Sequence, residues 1–248
     1  FEVARYTSGV AVGAILAGRS VDLVLAGLVL ALVLTAATVL GLPDWRREPA
    51  ASGRGLATLL GDRRFVLFLV AASLIQASHS GLYGFSTLHW QAAGIGKPTI
   101  GWLWAESTIA EILLFLAGAA VLRRVGGVRL LALAGAAAVL RWTALGLSAD
   151  LPVVAAAQVL HGLTFGAAHL AAMDFIARGA PPGLAATAQS LYSAVALGGM
   201  FGITMLASGG LYARLGGGAF LAMAGMALAG TAVAAYLARR SLQTKAHP

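Results

Sequence analysis

The chain has 248 residues, a mean hydropathy of +0.86 and only 10% charged residues, against roughly 25% in an average soluble domain; soluble domains have no room in it. Its net charge of +8 is not a nucleic-acid surface, because the basic residues stand at the ends of long apolar runs. The absence of cysteine excludes disulfides and thiolate metal sites.

The apolar runs are about 17 to 25 residues long, the length that crosses ~30 Å of hydrocarbon as a helix. Residues 3 to 18 predict a short first span. Arg19-Ser20-Val21-Asp22 predicts a tight external turn into a second span ending near Leu42. From Pro43 to Arg64 runs the longest polar segment, with Pro43, Pro49, Gly53 and five arginines, and it reads as a cytoplasmic linker over 43–64 between two helical groups. Six further spans follow over 65–248, at about 65–88, 99–122, 128–148, 152–177, 184–209 and 217–238. The fold class predicted is all-α, a polytopic membrane bundle of about eight helices. A hairpin, a basic linker and six helices are what remains of a carrier with two six-helix halves once its first four helices are lost. The opening Phe1, already running into a span, fits that truncation. The six helices then form two three-helix repeats of inverted topology.

Arg5, Arg46, Arg47, Arg54, Arg63, Arg64, Arg123, Arg124, Arg129, Arg178, Arg239, Arg240 and Lys245 fall on one side of these spans, and Arg19, Lys97 and Arg214 on the other. Such an excess marks the first side, with the C-terminus, as cytoplasmic. Gly198 and Gly202, four apart, predict close helix packing in lipid.

Inside the spans stand polar groups that need a reason, since a charge at the bilayer centre costs at least ~2.5 kcal/mol. Counting 1.5 Å per residue puts Glu111 roughly 15 Å from the outer boundary, Arg141 about 10 Å, His161 about 14 Å, and His79 about 10 Å from the inner one. Four ionisable groups from four helices share one layer. That layer predicts that Arg141 pairs with Glu111, with His161 between them exchanging a proton; a static ion pair fixing helix register is the alternative. Gln158, His161, Thr164 and His169 fall within about 140° on one helical face and predict a lined cavity. Asp174 points away and stands four residues before Arg178, the spacing of a helical ion pair. Glu106 is shallower than Glu111 and predicts an entrance or structural role. Gln76-Ala77-Ser78-His79-Ser80-Gly81, followed by Tyr83, interrupts the third span and predicts local unwinding beside a solute path. The substrate-binding candidates are therefore Gln76, His79, Tyr83, Gln158, Thr164 and His169, and the proton-coupling candidates Glu111, Arg141 and His161. A zinc enzyme built on His79, His161 and His169 is set aside, because His169 lies about 12 Å deeper than the other two. No metal or other cofactor is expected.

Gln76-Ala77-Ser78-His79 with Tyr83 and Phe85, Glu111-Ile112-Leu113-Leu114-Phe115, Leu140-Arg141-Trp142, the run Gln158 to Gly166, and Ala186-Thr187-Ala188-Gln189-Ser190-Leu191-Tyr192 together resemble the major facilitator superfamily, in its phenylpropionic acid permease branch. That branch is related to the lactose permease and nucleoside-proton symporter groups. The resemblance implies twelve helices in the full protein, this chain supplying helices five to twelve. It also implies that Arg141 and His161 match the intramembrane Arg and the following His of lactose permease, and that Glu111 resembles its sugar-contacting Glu. The carboxylate that follows that His by one turn is absent, and Thr164 stands in its place. The loop motif of the superfamily is degenerate over Gly118 to Arg129, with Arg123 where its acid would be.

The function expected is proton-coupled symport of a small organic solute by alternating access, in a bacterial inner membrane, with the missing N-terminal helices and the lipid bilayer as partners and no nucleic acid. An aromatic acid such as phenylpropionate leads. A nucleoside or sugar remains open if Glu111 neutralises Arg141, as does a non-transporting subunit on a carrier fold.

Overall fold

A computed structural model of the protein describes residues 21–40 and 53–246. The expected first span, the start of its external turn and residues 43–52 of the expected linker lie outside the described residues. The chain divides into two compact units, Phe1–Ala50 and Ala51–Pro248. The described part of the first is one apolar helix, α1 (Val21–Leu40).

The second unit opens with α2 (Gly53–Gly61), so the last part of the polar segment is helical, and Leu59 is buried against Phe65 and Phe68. Asp62 then caps α3 (Arg63–Ala77) by accepting a hydrogen bond from the Arg64 amide at 2.8 Å, an arrangement that satisfies one of the helix's unbonded N–H groups. Next come α4 (Ser80–Ala92), α5 (Lys97–Val125), α6 (Gly127–Leu147) and α7 (Leu151–Gly179). Pro98 and Pro152 occupy first turns, where a missing N–H costs nothing. Residues 185–215 form α8, and α9 (Ala219–Ala246) ends the unit. By length and composition, five stretches of the described chain are apolar enough to cross a membrane. The last, Ala185–Arg240, holds two helices, broken at Gly216 with φ of +53°. The chain reverses there: Tyr192 lies beside Phe68, Tyr212 stacks on Phe85, Phe220 stacks on Trp142, and Leu237 returns to the cluster around Phe68.

The neighbour relations obey an exchange rule. α9 packs on α6 and α3, α6 also on α7, α5 on α7, and α8 on α3 and α4. Exchanging the α3–α4 helix with α7, α5 with α8 and α6 with α9 leaves that set of contacts unchanged. The first member of each triple runs the opposite way, since α3 leaves the arginine-rich end and α7 arrives at it. An internal repeat of inverted topology requires this pattern.

Two apolar clusters fill the unit, one around Phe68, Leu130, Ala168 and Leu237, the other around Leu82, Trp90, Trp142 and Phe220. Along α6 the first cluster ends at Ala134, and the second holds Ala138, Trp142 and Leu145 around Arg141. Outward-facing Leu113, Leu116, Leu140, Leu147 and Leu206 are more than half exposed, as a surface meeting lipid rather than water requires.

Among the described residues, close helix approach is not made at the glycine pair that the sequence singles out. A Cβ on Gly202 would meet nothing within 4 Å, and one on Gly198 only its own helix, whereas one on Gly230 would lie 2.9 Å from Ile75 Cγ1 and 3.1 Å from the Ala71 carbonyl oxygen. The α3–α9 contact is therefore one that needs glycine. Gly230→Leu should lower the thermal midpoint of the purified protein by an amount equivalent to about 1–3 kcal/mol, and Gly202→Leu should leave it unchanged within the described unit, as read by melting in detergent.

Candidate functional site

Arg141 is fully buried near the middle of α6, and its guanidinium must be met by acceptors from neighbouring helices. Nη1 donates to His161 Nδ1 at 2.7 Å and to Thr164 Oγ1 at 3.0 Å, and Nη2 donates to Gln158 Oε1 at 2.6 Å, all on α7. Gln158 in turn donates through Nε2 to the Leu103 carbonyl of α5 at 3.1 Å. The other nitrogen of His161, Nε2, lies 2.6 Å from Glu111 Oε1 on α5 and 3.2 Å from the Tyr83 hydroxyl on α4.

These partners assign the tautomer. Arginine has only donors, so Nδ1 of His161 accepts and the ring proton resides on Nε2, where it is donated to Glu111. His161 stands between the cation and the carboxylate and links them through its ring, so the two charges meet by way of the imidazole. Its ring stacks on Phe165, with centroids 5.5 Å apart and planes 13° from parallel.

His79 is held just as tightly. Its Nδ1 donates to the carbonyls of Ile75 and Gln76, at 3.1 and 3.2 Å, and its Nε2 accepts from Thr164 Oγ1 at 3.1 Å. Ser78 Oγ also donates to the Ile75 carbonyl, at 2.6 Å, and accepts from Trp142 Nε1 at 2.9 Å. Side chains that take helix carbonyls in this way weaken the helical ladder, and α3 gives way to α4 at these two residues. The interruption is a two-residue break with both residues right-handed, not a longer unwound stretch.

The opposing helix is also irregular. Directly after His161, α7 widens into a π-type stretch, Gly162–Gly166, the kind of local bulge that recurs at functional sites. A Cβ on Gly162 would sit 2.5 Å from the Ala110 carbonyl oxygen and 3.1 Å from the Glu111 amide nitrogen. This glycine lets the backbones of α5 and α7 approach where Glu111 and His161 meet.

Seven of the nine candidate residues, Glu111, Arg141, His161, Gln158, Thr164, His79 and Tyr83, form one hydrogen-bonded group. The other two candidates meet Tyr192 of α8. Gln76 Nε2 donates to the Tyr192 hydroxyl of α8 at 3.2 Å, and His169 lies with its ring centroid 6.1 Å from that of Tyr192. Tyr192, fully buried, organises this second group on the side of the arginine-rich end; a hydroxylated aromatic inside an apolar run was the signal for it. Ser78 and Trp142 also carry bonds of the polar centre without standing among the nine candidates. Among the described residues no three metal-ligating side chains gather. The ion pair predicted for Asp174 and Arg178 forms, at 2.6 Å.

Buried polar groups from several helices, linked across a unit whose outer faces are apolar, define an integral multi-pass membrane protein with a polar centre. The chain belongs to the MFS_1-like family, whose model matches residues 5–222. It is 38% identical over 161 residues to a protein of Escherichia coli (strain K12) named "Probable 3-phenylpropionic acid transporter". That match covers 65% of this chain and 42% of the relative, so the chain spans about two fifths of the relative's length.

Gly162→Ala should separate α5 from α7, because backbone atoms cannot yield as a side chain does. A loss of thermal stability equivalent to about 1–3 kcal/mol is expected. Gly166→Ala, whose Cβ would meet Leu114 Cδ2 at 3.1 Å, should be milder in the same melting assay.

Proposed function

We propose that this chain is the C-terminal part of a proton-coupled secondary transporter that moves a small organic solute by alternating access. The observation that carries the reading is His161, whose two ring nitrogens are engaged at once, one by Arg141 and one by Glu111. With Glu111 ionised and His161 neutral, each contact of the imidazole pairs a donor with an acceptor. A proton added to the imidazole puts an N–H against the Arg141 N–H at Nδ1, and that contact has to break. A proton added to Glu111 removes the negative charge that offsets Arg141. In either case the line gains a net charge inside apolar surroundings, and relief requires movement of helices or arrival of an anionic group. Proton loading and conformational change are thereby tied together.

An aromatic carboxylic acid is the leading solute. Tyr83 has 43% of its surface exposed and stacks on Trp104, and Phe165 and Phe201 flank it, with centroids 5.5, 6.4 and 6.0 Å away respectively. This aromatic wall stands beside the Glu111–His161–Arg141 line, and the name of the Escherichia coli relative points to the same chemistry. One observation favours a neutral solute such as a nucleoside or sugar: both terminal nitrogens of Arg141 are already committed within the protein.

In this reading residues 1–42 hold the last two helices of an N-terminal half, 43–64 are the linker and 65–248 a six-helix C-terminal half. The arginine-rich end and the C-terminus face the cytoplasm of a bacterial inner membrane, and the missing helices supply the other wall of the solute site.

Glu111→Gln in the full-length protein should abolish uphill, proton-driven accumulation while leaving solute counterflow measurable. Uphill uptake equal to the parent's would overturn the coupling role. Uptake of phenylpropionate, nucleosides and disaccharides compared side by side should show the aromatic acid as the transported class, and no phenylpropionate signal would reject that substrate.

A further inference from the structure

At the arginine-rich end of the second unit, α6 and α9 leave between them a groove of about 450 Å³ lined by Arg129, Ala132, Leu133, Ala235, Ala238 and Arg239, among others. Its layout is amphipathic. Arg129 lies in the first turn of α6 and Arg239 toward the end of α9, while Leu133 and Ala235 each stand four residues, about 6 Å, deeper into the span. Both arginines are exposed, and the apolar side chains below them open toward the same outer face as Leu133, Leu140, Leu228 and Tyr236, each more than a third exposed. Arg123 and Arg124, in the last turn of α5, add to the charge at this end. Asp174, whose carboxylate reaches the start of α6 at Gly127, is bonded to Arg178.

We propose that this groove is a binding site for an anionic glycerophospholipid of the surrounding bilayer, its phosphate held by Arg129 and Arg239 and one acyl chain lying over Ala132, Leu133, Ala235 and Ala238. Two guanidiniums flanking one mouth favour a headgroup of net negative charge, because they repel the ammonium that a zwitterionic headgroup carries beside its phosphate. Small side chains on α9 provide the depth that an acyl chain needs against two helices in contact. Basic clefts between membrane helices are suited to acidic lipid headgroups on just these grounds. The site is separate from the Arg141 network and independent of the solute transported.

The test is a lipid titration of the full-length protein followed by native mass spectrometry, with phosphatidylglycerol, phosphatidylcholine and water-soluble glycerol phosphate as probes. Phosphatidylglycerol should bind the parent roughly tenfold more tightly than phosphatidylcholine, the scale set by two arginines near an anionic group. The double variant Arg129→Gln/Arg239→Gln should lose that preference. Ala235→Trp, which fills the groove and keeps both cations, should weaken phosphatidylglycerol binding by a similar factor, and Arg214→Gln should change nothing. A preference that survives in either groove variant overturns the site. A loss equally large in Arg214→Gln would mean a general charge effect, and competition by glycerol phosphate as strong as by lipid would mean a small-anion site; each of these also overturns it. Circular dichroism on every variant checks folding, and the two groove variants alter different chemistry, one the charge and the other the apolar floor, so one that folds suffices.

Discussion

Burying a guanidinium among apolar helices is the constraint on which the arrangement of the second unit depends. Arginine is always charged and offers five N–H groups in a fixed plane. Its removal from water is tolerable only when acceptors with good geometry surround it, and loss of one partner of such a buried pair typically costs about 3–5 kcal/mol. Gln158, His161 and Thr164 meet Arg141 from one helix, at intervals of three residues, so α7 must present one face to α6 over two turns. Glu111 then fixes the height of α5 through His161, and His79 fixes the α3–α4 break through Thr164. One charge sets the mutual register of four helices.

The same constraint accounts for two of the helix irregularities; α8 carries a further π-type stretch at Ser193–Met200. α3 breaks at Ser78 and His79, and α7 widens just after His161. These are the first helices of the two exchange-related triples, and both irregularities lie at the level of Arg141, between the two apolar clusters. Broken or widened helix leaves carbonyls incompletely used, and in lipid such groups are tolerated only where protein covers them. Here the His79 imidazole and the Ser78 hydroxyl donate to them. Backbone irregularity and buried polarity are thus two aspects of one layer: the side chains that break the helix also satisfy it.

Much of this was legible in the sequence because depth in a membrane is nearly a linear function of residue number. Six spans of known length place Glu111, Arg141, His161 and His79 at one level by counting alone, and hydropathy with positive charge finds the spans. Angle is less secure. The 100° rule holds only within an unbroken α-helix, and both helices that matter change phase at the layer. His169 shares a predicted face with His161, yet the π stretch Gly162–Gly166 uses more residues per turn and carries His169 toward Tyr192. Gln76 precedes the break that reorients His79 and so turns to Tyr192 instead of Thr164. Gly198 and Gly202 meet no described neighbouring helix for another reason: spacing shows that a glycine pair shares a face, not that any described helix lies against it.

Within the hydrogen-bonded group, members differ sharply in access. Arg141, Gln158, Thr164 and His79 have no exposed surface, and Glu111 and His161 are only 3% and 2% exposed. Tyr83 alone among the seven has substantial exposure, its ring reaching the surface of the unit while its hydroxyl lies against His161 Nε2. A solute approaching this face meets the Tyr83 ring, with Phe165 and Phe201 beside it, before it can meet any charge. Displacing that ring moves the hydroxyl that shares His161 Nε2 with Glu111, so occupancy of the aromatic wall alters the partners of the imidazole that joins Glu111 to Arg141. In the proposed transport cycle, aromatic contact and proton affinity are therefore coupled through a single phenol, and the charged line need never be opened to the solute for the two to influence each other.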